Sequence, residues 1–210
     1  MLQIKIKNLL KICIALSLIL LTQVVNGQDT SKIYFTTSIG KLMPLGDFSN
    51  AYKNSVALNS GIELKISKNN FIQFELDFNA VNYDQQYIDT KSNYLFQQTS
   101  SSVFLVGLNG GKNIFLNKKN NPFVSPYIGV GYVNIGEPRL AFDNTKNIIT
   151  QTVERMQGIY GRSGLRIAYN TNSKLLQTIY IDASYWISNI EVQQSKAQAV
   201  SILVGTRIGF

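Results

Sequence analysis

The chain has 210 residues, of which 45% are hydrophobic and 15% charged; its formal net charge is +8, and it contains no histidine. The length suits one domain, and the absence of histidine removes the commonest general base and the commonest metal ligand. Lysines and arginines are scattered rather than gathered in a stripe, which argues against a nucleic-acid partner.

The first segment reads as a leader. Lys5, Lys7 and Lys11 precede an apolar run from Ile12 to Leu21, and Val25-Asn26-Gly27 supplies a small-residue end before Gln28. That run is too short for a spanning helix, which needs roughly 20 apolar residues. The expected division is therefore a signal peptide over 1–27 and a mature domain over 28–210. Cys13, the one cysteine, leaves with the leader, so the mature chain carries no disulfide. Removing the leader's three lysines from +8 leaves +5, a mild basic excess suited to anionic lipid headgroups or lipopolysaccharide.

The mature part alternates with the period of β-strands. Val56, Leu58, Ile62, Leu64 and Ile66 oppose Asn59, Gly61, Glu63 and Lys65. Ile72, Phe74, Leu76, Phe78 and Ala80 oppose Gln73, Glu75, Asp77 and Asn79. Strict alternation gives a strand with two different faces. Val103 to Gly111 is less clear, because Val103 and Leu105 share a parity with Gly107 and Asn109. Pro126 interrupts the next run and is expected at a strand start or a bulge. Ile179, Ile181, Ala183, Tyr185 and Ile187 oppose Thr178, Asp182 and Ser184, and the last run places Val200, Ile202, Val204, Ile208 and Phe210 on one face.

Short polar turns fall at 68–70, 117–121 and 170–174, and longer connections at 43–55, 83–99, 135–157 and 188–196. Their alternation predicts eight antiparallel strands with both ends on the short-turn side. Such strands match the roughly 9–11 residues needed to cross a bilayer.

The final residues Gly205, Ile208 and Phe210 fit the closing-strand pattern of Gram-negative outer-membrane barrels, with Leu203 departing from its usual polar opening. Pro44-Leu45-Gly46-Asp47-Phe48-Ser49 with Tyr52 resembles a first-loop pattern of such proteins, and Pro126-Tyr127-Ile128-Gly129-Val130-Gly131-Tyr132 resembles their glycine-rich middle strand. The chain thus resembles the outer-membrane β-barrel domain family, of the size of outer-membrane protein X and the membrane part of outer-membrane protein A. The resemblance implies an all-β, up-and-down transmembrane barrel, probed by the assembly machinery through the strand ending at Phe210 and located in the outer membrane after secretion. It also implies a monomer with no cofactor and no catalytic, cofactor-binding or metal residues.

In a closed barrel the apolar parity faces lipid and the polar parity faces inward. Glu63, Lys65, Glu75, Asp77, Arg162, Arg166, Asp182 and Arg207 form the expected inward set. If the last turn centres on Ser173, Asp182 lies opposite Gly164, between Arg162 and Arg166. An interior of eight strands is just wide enough for side chains to fill, so these charges read as an internal plug. Tyr132 and Tyr185 are placed at the loop-side interface, Tyr169 and Phe210 at the turn side. Tyr83, Tyr87, Tyr94, Phe96 and Phe142 are loop aromatics, either contact residues or packing.

Three function classes follow: a structural or surface-interaction barrel acting through its loops, a narrow porin-like channel, and a soluble periplasmic barrel for a small apolar ligand. An outward apolar face argues against the third. Known hydrolase and acyltransferase barrels use histidine, so an enzyme is not expected, although Ser-Lys chemistry stays open.

Overall fold

The computed structural model describes residues 32–67, 69–86, 88, 94–117, 122–143, 148–171, 176–192 and 195–209. The leader, the cleavage point before Gln28, Tyr87 and Phe210 lie outside these residues.

One antiparallel sheet closes on itself. Its strands are β1 (Ile33–Pro44), β2 (Ser55–Lys65), β3 (Asn70–Tyr83), β4 (Thr99–Lys112), β5 (Ile114–Phe115), β6 (Pro122–Asp143), β7 (Ile148–Asn170), β8 (Leu176–Val192) and β9 (Ser195–Gly209). Each pairs with its sequence neighbour except β4, which pairs with β3 and with β6, and β1 pairs with β9 from Tyr34↔Gly209 to Pro44↔Ala199, which removes the free edge of the barrel wall. The pieces β4 and β5 form one line of the wall, so the barrel has eight strands as the alternation predicts. The line breaks at Asn113, across from Ser125 and beside Pro126. Pro126 has no N–H to give to the ladder there, and the Ser125 hydroxyl donates instead to Asn113 Oδ1 at 2.6 Å. Pro126 therefore sits beside a ladder break inside the strand, not at the strand's start.

The two faces separate as the parity requires. Outward positions are apolar and exposed, with Ile128 at 72%, Val130 at 69% and Ile159 at 68%, while Phe74, Leu108 and Val204 continue the band. A water-soluble barrel would have hidden these side chains. In β4 the less clear parity resolves inward, with Val103 and Leu105 buried.

Two of the four expected long loops are instead strand. The segment 135–157 extends β6 and β7 as a hairpin, paired without a register shift from Pro122↔Tyr169 to Asp143↔Ile148. Its β-branched Ile148, Ile149, Thr150, Thr152 and Val153 favour extended backbone even without a buried face. The segment 188–196 is likewise mostly the β8–β9 hairpin, Glu191 pairing with Lys196. Within 43–55 the chain makes a single helical turn, α1 (Phe48–Ala51), after a glycine at φ 57°, Gly46. The described parts of 83–99 are irregular after β3 ends at Tyr83.

The last turn is displaced from its expected centre. Asn170 pairs with Thr178 and Arg166 with Asp182, so Gly164 faces Ser184 instead of Asp182. Thr171 N donates to Gln177 O at 2.8 Å and Thr178 Oγ1 to Asn170 Oδ1 at 2.9 Å, which fixes this two-residue shift in pairing.

Candidate functional site

The lumen and the loop-side mouth gather the buried charged and aromatic side chains. Nearest the turns, Arg166 on β7 reaches three strands. Its Nη1 donates to Glu63 Oε2 at 3.0 Å, its Nη2 to Gln73 Oε1 at 2.9 Å and its Nε to Asp182 Oδ2 at 3.3 Å. Arg207 Nη2 donates to the same Glu63 oxygen at 2.8 Å, and the Tyr127 hydroxyl to Asp182 Oδ1 at 2.7 Å. The guanidinium faces are covered too, with Tyr180 at 4.5 Å from Arg166 and Phe123 at 5.4 Å from Arg207.

Midway up the barrel, Arg162 pairs with both Glu75 and Asp77 of β3, and Asn59 Nδ2 donates to Glu75 Oε2 at 3.4 Å and to Asp77. Buried charges persist only when paired and hydrogen-bonded, and these are. Two expectations are corrected here. Asp182 is not held between two arginines, because Arg162 turns to β3 and only Arg166 meets Asp182. Lys65 lies half-buried at the turn end and makes no ion pair with a described residue, leaving four lumen carboxylates, Glu63, Glu75, Asp77 and Asp182, against Arg162, Arg166 and Arg207.

Between the two charged layers the free space is about 10 Å³, bounded by Ser38, Asn59, Glu75, Tyr127 and Asp182 among others. That is room for about one water molecule.

The loop-side half is mainly aromatic and apolar around a buried Glu137, held by the Tyr83 hydroxyl and Arg139, which the inward charges alone did not announce. Phe48, Tyr52, Tyr83 and Trp186 are fully buried, packed with Leu42, Leu105 and Ile135. The α1 turn drops Phe48 and Tyr52 into the mouth. Phe48 stacks 4.6 Å from Tyr52 and 6.0 Å from Trp186, and Tyr52 lies 4.9 Å from Tyr83. The Tyr52 hydroxyl donates to Gly136 O at 2.7 Å; burial, reinforced by the nearby Glu137 charge, raises its pKa well above the usual value and keeps it a donor. Trp186 sits on the same parity as Asp182 and Ser184, so its inward direction was legible, as was the apolar character of Phe48 and Tyr52 within a supposed loop.

The loop aromatics divide. Tyr83 and Phe96 are packing residues, while Tyr94 and Phe142 are more than half exposed. Of the expected interfacial aromatics, Tyr132 and Tyr169 face outward, and Tyr185 is half-buried with its hydroxyl donating to Gln198 Oε1 at 2.6 Å.

No protein-family model matches the chain, and comparison with curated proteins finds no match. Solved structures do match. Neisserial surface protein A is similar at 11% identity and TM-score 0.50, over 87% of this chain and all of that one. The N-terminal β-barrel domain of Pseudomonas aeruginosa OprF is similar at 12% identity and TM-score 0.49, over 86% of this chain and all of that one. Ail, the attachment invasion locus protein of Yersinia pestis, aligns at 11% identity and TM-score 0.44, over 85% of this chain and 97% of that one. The fold is that of small eight-stranded outer-membrane barrels.

Proposed function

We propose that this protein is a non-enzymatic outer-membrane barrel with a closed lumen, working as a scaffold that holds its loop-side elements at the cell surface. The observation that carries the reading is the filling of the lumen from end to end. Ion pairs occupy the turn-side half and an aromatic cluster the loop-side half, with space for about one water between the charged layers. A narrow channel would need a continuous wet path, and the described residues that pack the lumen argue against one. A soluble ligand-binding barrel would need an apolar cavity within and a polar exterior, the reverse of the exposed Ile128, Val130 and Ile159.

The route to that place is secretion with removal of residues 1–27, followed by assembly in the outer membrane, where lipid and lipopolysaccharide surround the apolar band. The mature chain then starts at Gln28, which mass analysis of its amino terminus checks; a start at Met1 in membrane-extracted material removes the leader reading. Planar-bilayer recordings of the purified protein test the closed scaffold. Silence is the expected result, and stable large single-channel steps replace the scaffold with a pore.

A further inference from the structure

Both outer edges of the β6–β7 hairpin run beyond their strand partners among the described residues: β6 pairs with β4 only up to Ile135 and its edge carries Pro138, whereas the β7 edge carries no proline. β8 pairs with β7 only from Tyr160↔Ser188 downward, and Asn189 Oδ1 takes the Ile159 N–H at 2.8 Å, closing the wall at that point. Above it, Ile148–Gly158 is paired to β6 on one side and, among the described residues, to no strand on the other. This free edge is about 35 Å long at the usual rise of an extended chain. Strand edges are ordinarily guarded by lysine, proline or a bulge. Here Ile148-Ile149-Thr150-Gln151-Thr152-Val153 carries no charge and no proline, the pairing with β6 has no bulge, and Ile148, Ile149 and Val153 are about half exposed. A two-stranded ribbon is marginal in water, and added strands stabilise it.

We propose that this edge pairs with the same edge of a second copy held in a facing membrane, joining two ribbons into a four-stranded sheet. The inference rests on the scaffold reading, and it follows from symmetry and register. Two identical strands that pair antiparallel are related by a twofold axis perpendicular to their sheet. The barrel wall stands upright in the bilayer, so that axis lies in the membrane plane. A copy in the same membrane would then be upside down, whereas a copy in an opposed membrane is correctly oriented. Parallel pairing within one membrane would need the axis along the strands, which tilt roughly 35–45° from the membrane normal.

The twofold also requires a residue to face its own copy. Centring it on Val153 pairs Ile149 with Gln157 of the second copy and leaves out Gly158, which lies against Asn189 and Ile190 of β8. It sets Val153 on Val153, Thr152 opposite Glu154 and Gln151 opposite Arg155, with no like charges opposed. A shift of one residue to Glu154 opposes two carboxylates, and a further shift to Arg155 opposes two guanidiniums.

Charge exchange at the centre tests this pairing. The full-length protein, processed in its host and purified, is placed in two vesicle populations bearing different fluorescent lipids, and co-clustering is measured. Wild-type vesicles should cluster. V153K alone and V153E alone should each fall to the level of protein-free vesicles, and mixing V153K vesicles with V153E vesicles should restore clustering. The mature chain lacks cysteine, so V153C chains of two tag sizes, one in each population, should form mixed-size disulfide dimers on oxidation with copper phenanthroline. Absence of wild-type clustering, clustering indifferent to V153K and V153E, or dimers confined to one vesicle population overturns the self-pairing. All three variants leave the lumen untouched, so planar-bilayer silence is read on the same samples. Absence of clustering by a silent wild type rejects the pairing alone, and conduction by the wild type rejects the scaffold reading.

Discussion

Arg166 joins Glu63, Gln73 and Asp182 on three different strands, so it ties distant parts of the wall together as the barrel closes. Arg166→Met keeps much of the volume but strands the Asp182 carboxylate and half-strips Glu63 of its cations. Breaking a buried pair this way costs about 3–5 kcal/mol, to be read from urea unfolding in lipid vesicles. A double-mutant cycle sharpens the assignment: Arg166 and Asp182 should show a coupling of about 1 kcal/mol or more, and Arg162 and Asp182 only a few tenths. A large Arg162–Asp182 coupling would contradict the pairing of Arg162 with Glu75 and Asp77. Parity alone was enough to place all three arginines and four of the carboxylates inside. Which arginine meets which carboxylate depends on the turn after Ala168, where a one-residue change in the turn centre moves every cross-strand partner by two. Composition and alternation carry no information on that centre, which here is set by the Thr171–Gln177 and Thr178–Asn170 bonds.

Among the elements, α1 is too short to be helical by its own propensity. It exists because Phe48 and Tyr52 are held by Trp186, Tyr83 and the Gly136 carbonyl. Phe48→Ala removes the central contact, and truncating a buried phenylalanine costs roughly 3–5 kcal/mol. The barrel strands are paired independently of it, so the loss should appear locally, as protease cleavage within 45–54 of a barrel that still migrates as folded before heating. Global unfolding without selective cleavage would make α1 part of the wall's own stability. The mild variant Tyr52→Phe, which removes one buried hydrogen bond, should cost about 1 kcal/mol and produce weaker cleavage.

Element boundaries were legible where the membrane imposes two unlike faces, as in β3, and much less so beyond it. The β6–β7 hairpin continues past the wall through Gly136, Glu137 and Pro138, which fall in the long connection expected over 135–157, and its distal half is exposed on both faces. Without lipid or core on either side, no alternation is required there, and extended structure leaves no periodic trace. The same freedom let the segment around Phe48 pass for a surface loop, although two large apolar side chains in it had to be buried somewhere.

For the molecule as a whole, the proposed closed lumen implies that its layers act as barriers in series. The Phe48–Trp186 cluster closes the loop-side half, the Arg162–Glu75–Asp77 group the middle, and the Arg166–Glu63–Arg207 group the turn side. Ions cross only where water is continuous, so opening one layer should leave the barrel silent. Phe48→Ala with Trp186→Ala should therefore produce no steps in planar-bilayer recordings, because both charged layers remain. Arg162→Ala should be silent too, since the aromatic layer above and the Arg166 layer below persist. Combining these substitutions with Arg166→Ala opens all three layers and leaves Glu63, Glu75, Asp77 and Asp182 facing water with Arg207 as the remaining lumen guanidinium. The resulting path should carry cations in preference to anions, which the reversal potential across a salt gradient measures. Large steps from a variant opened in a single layer would show that the other layers do not seal, and the series description would fall.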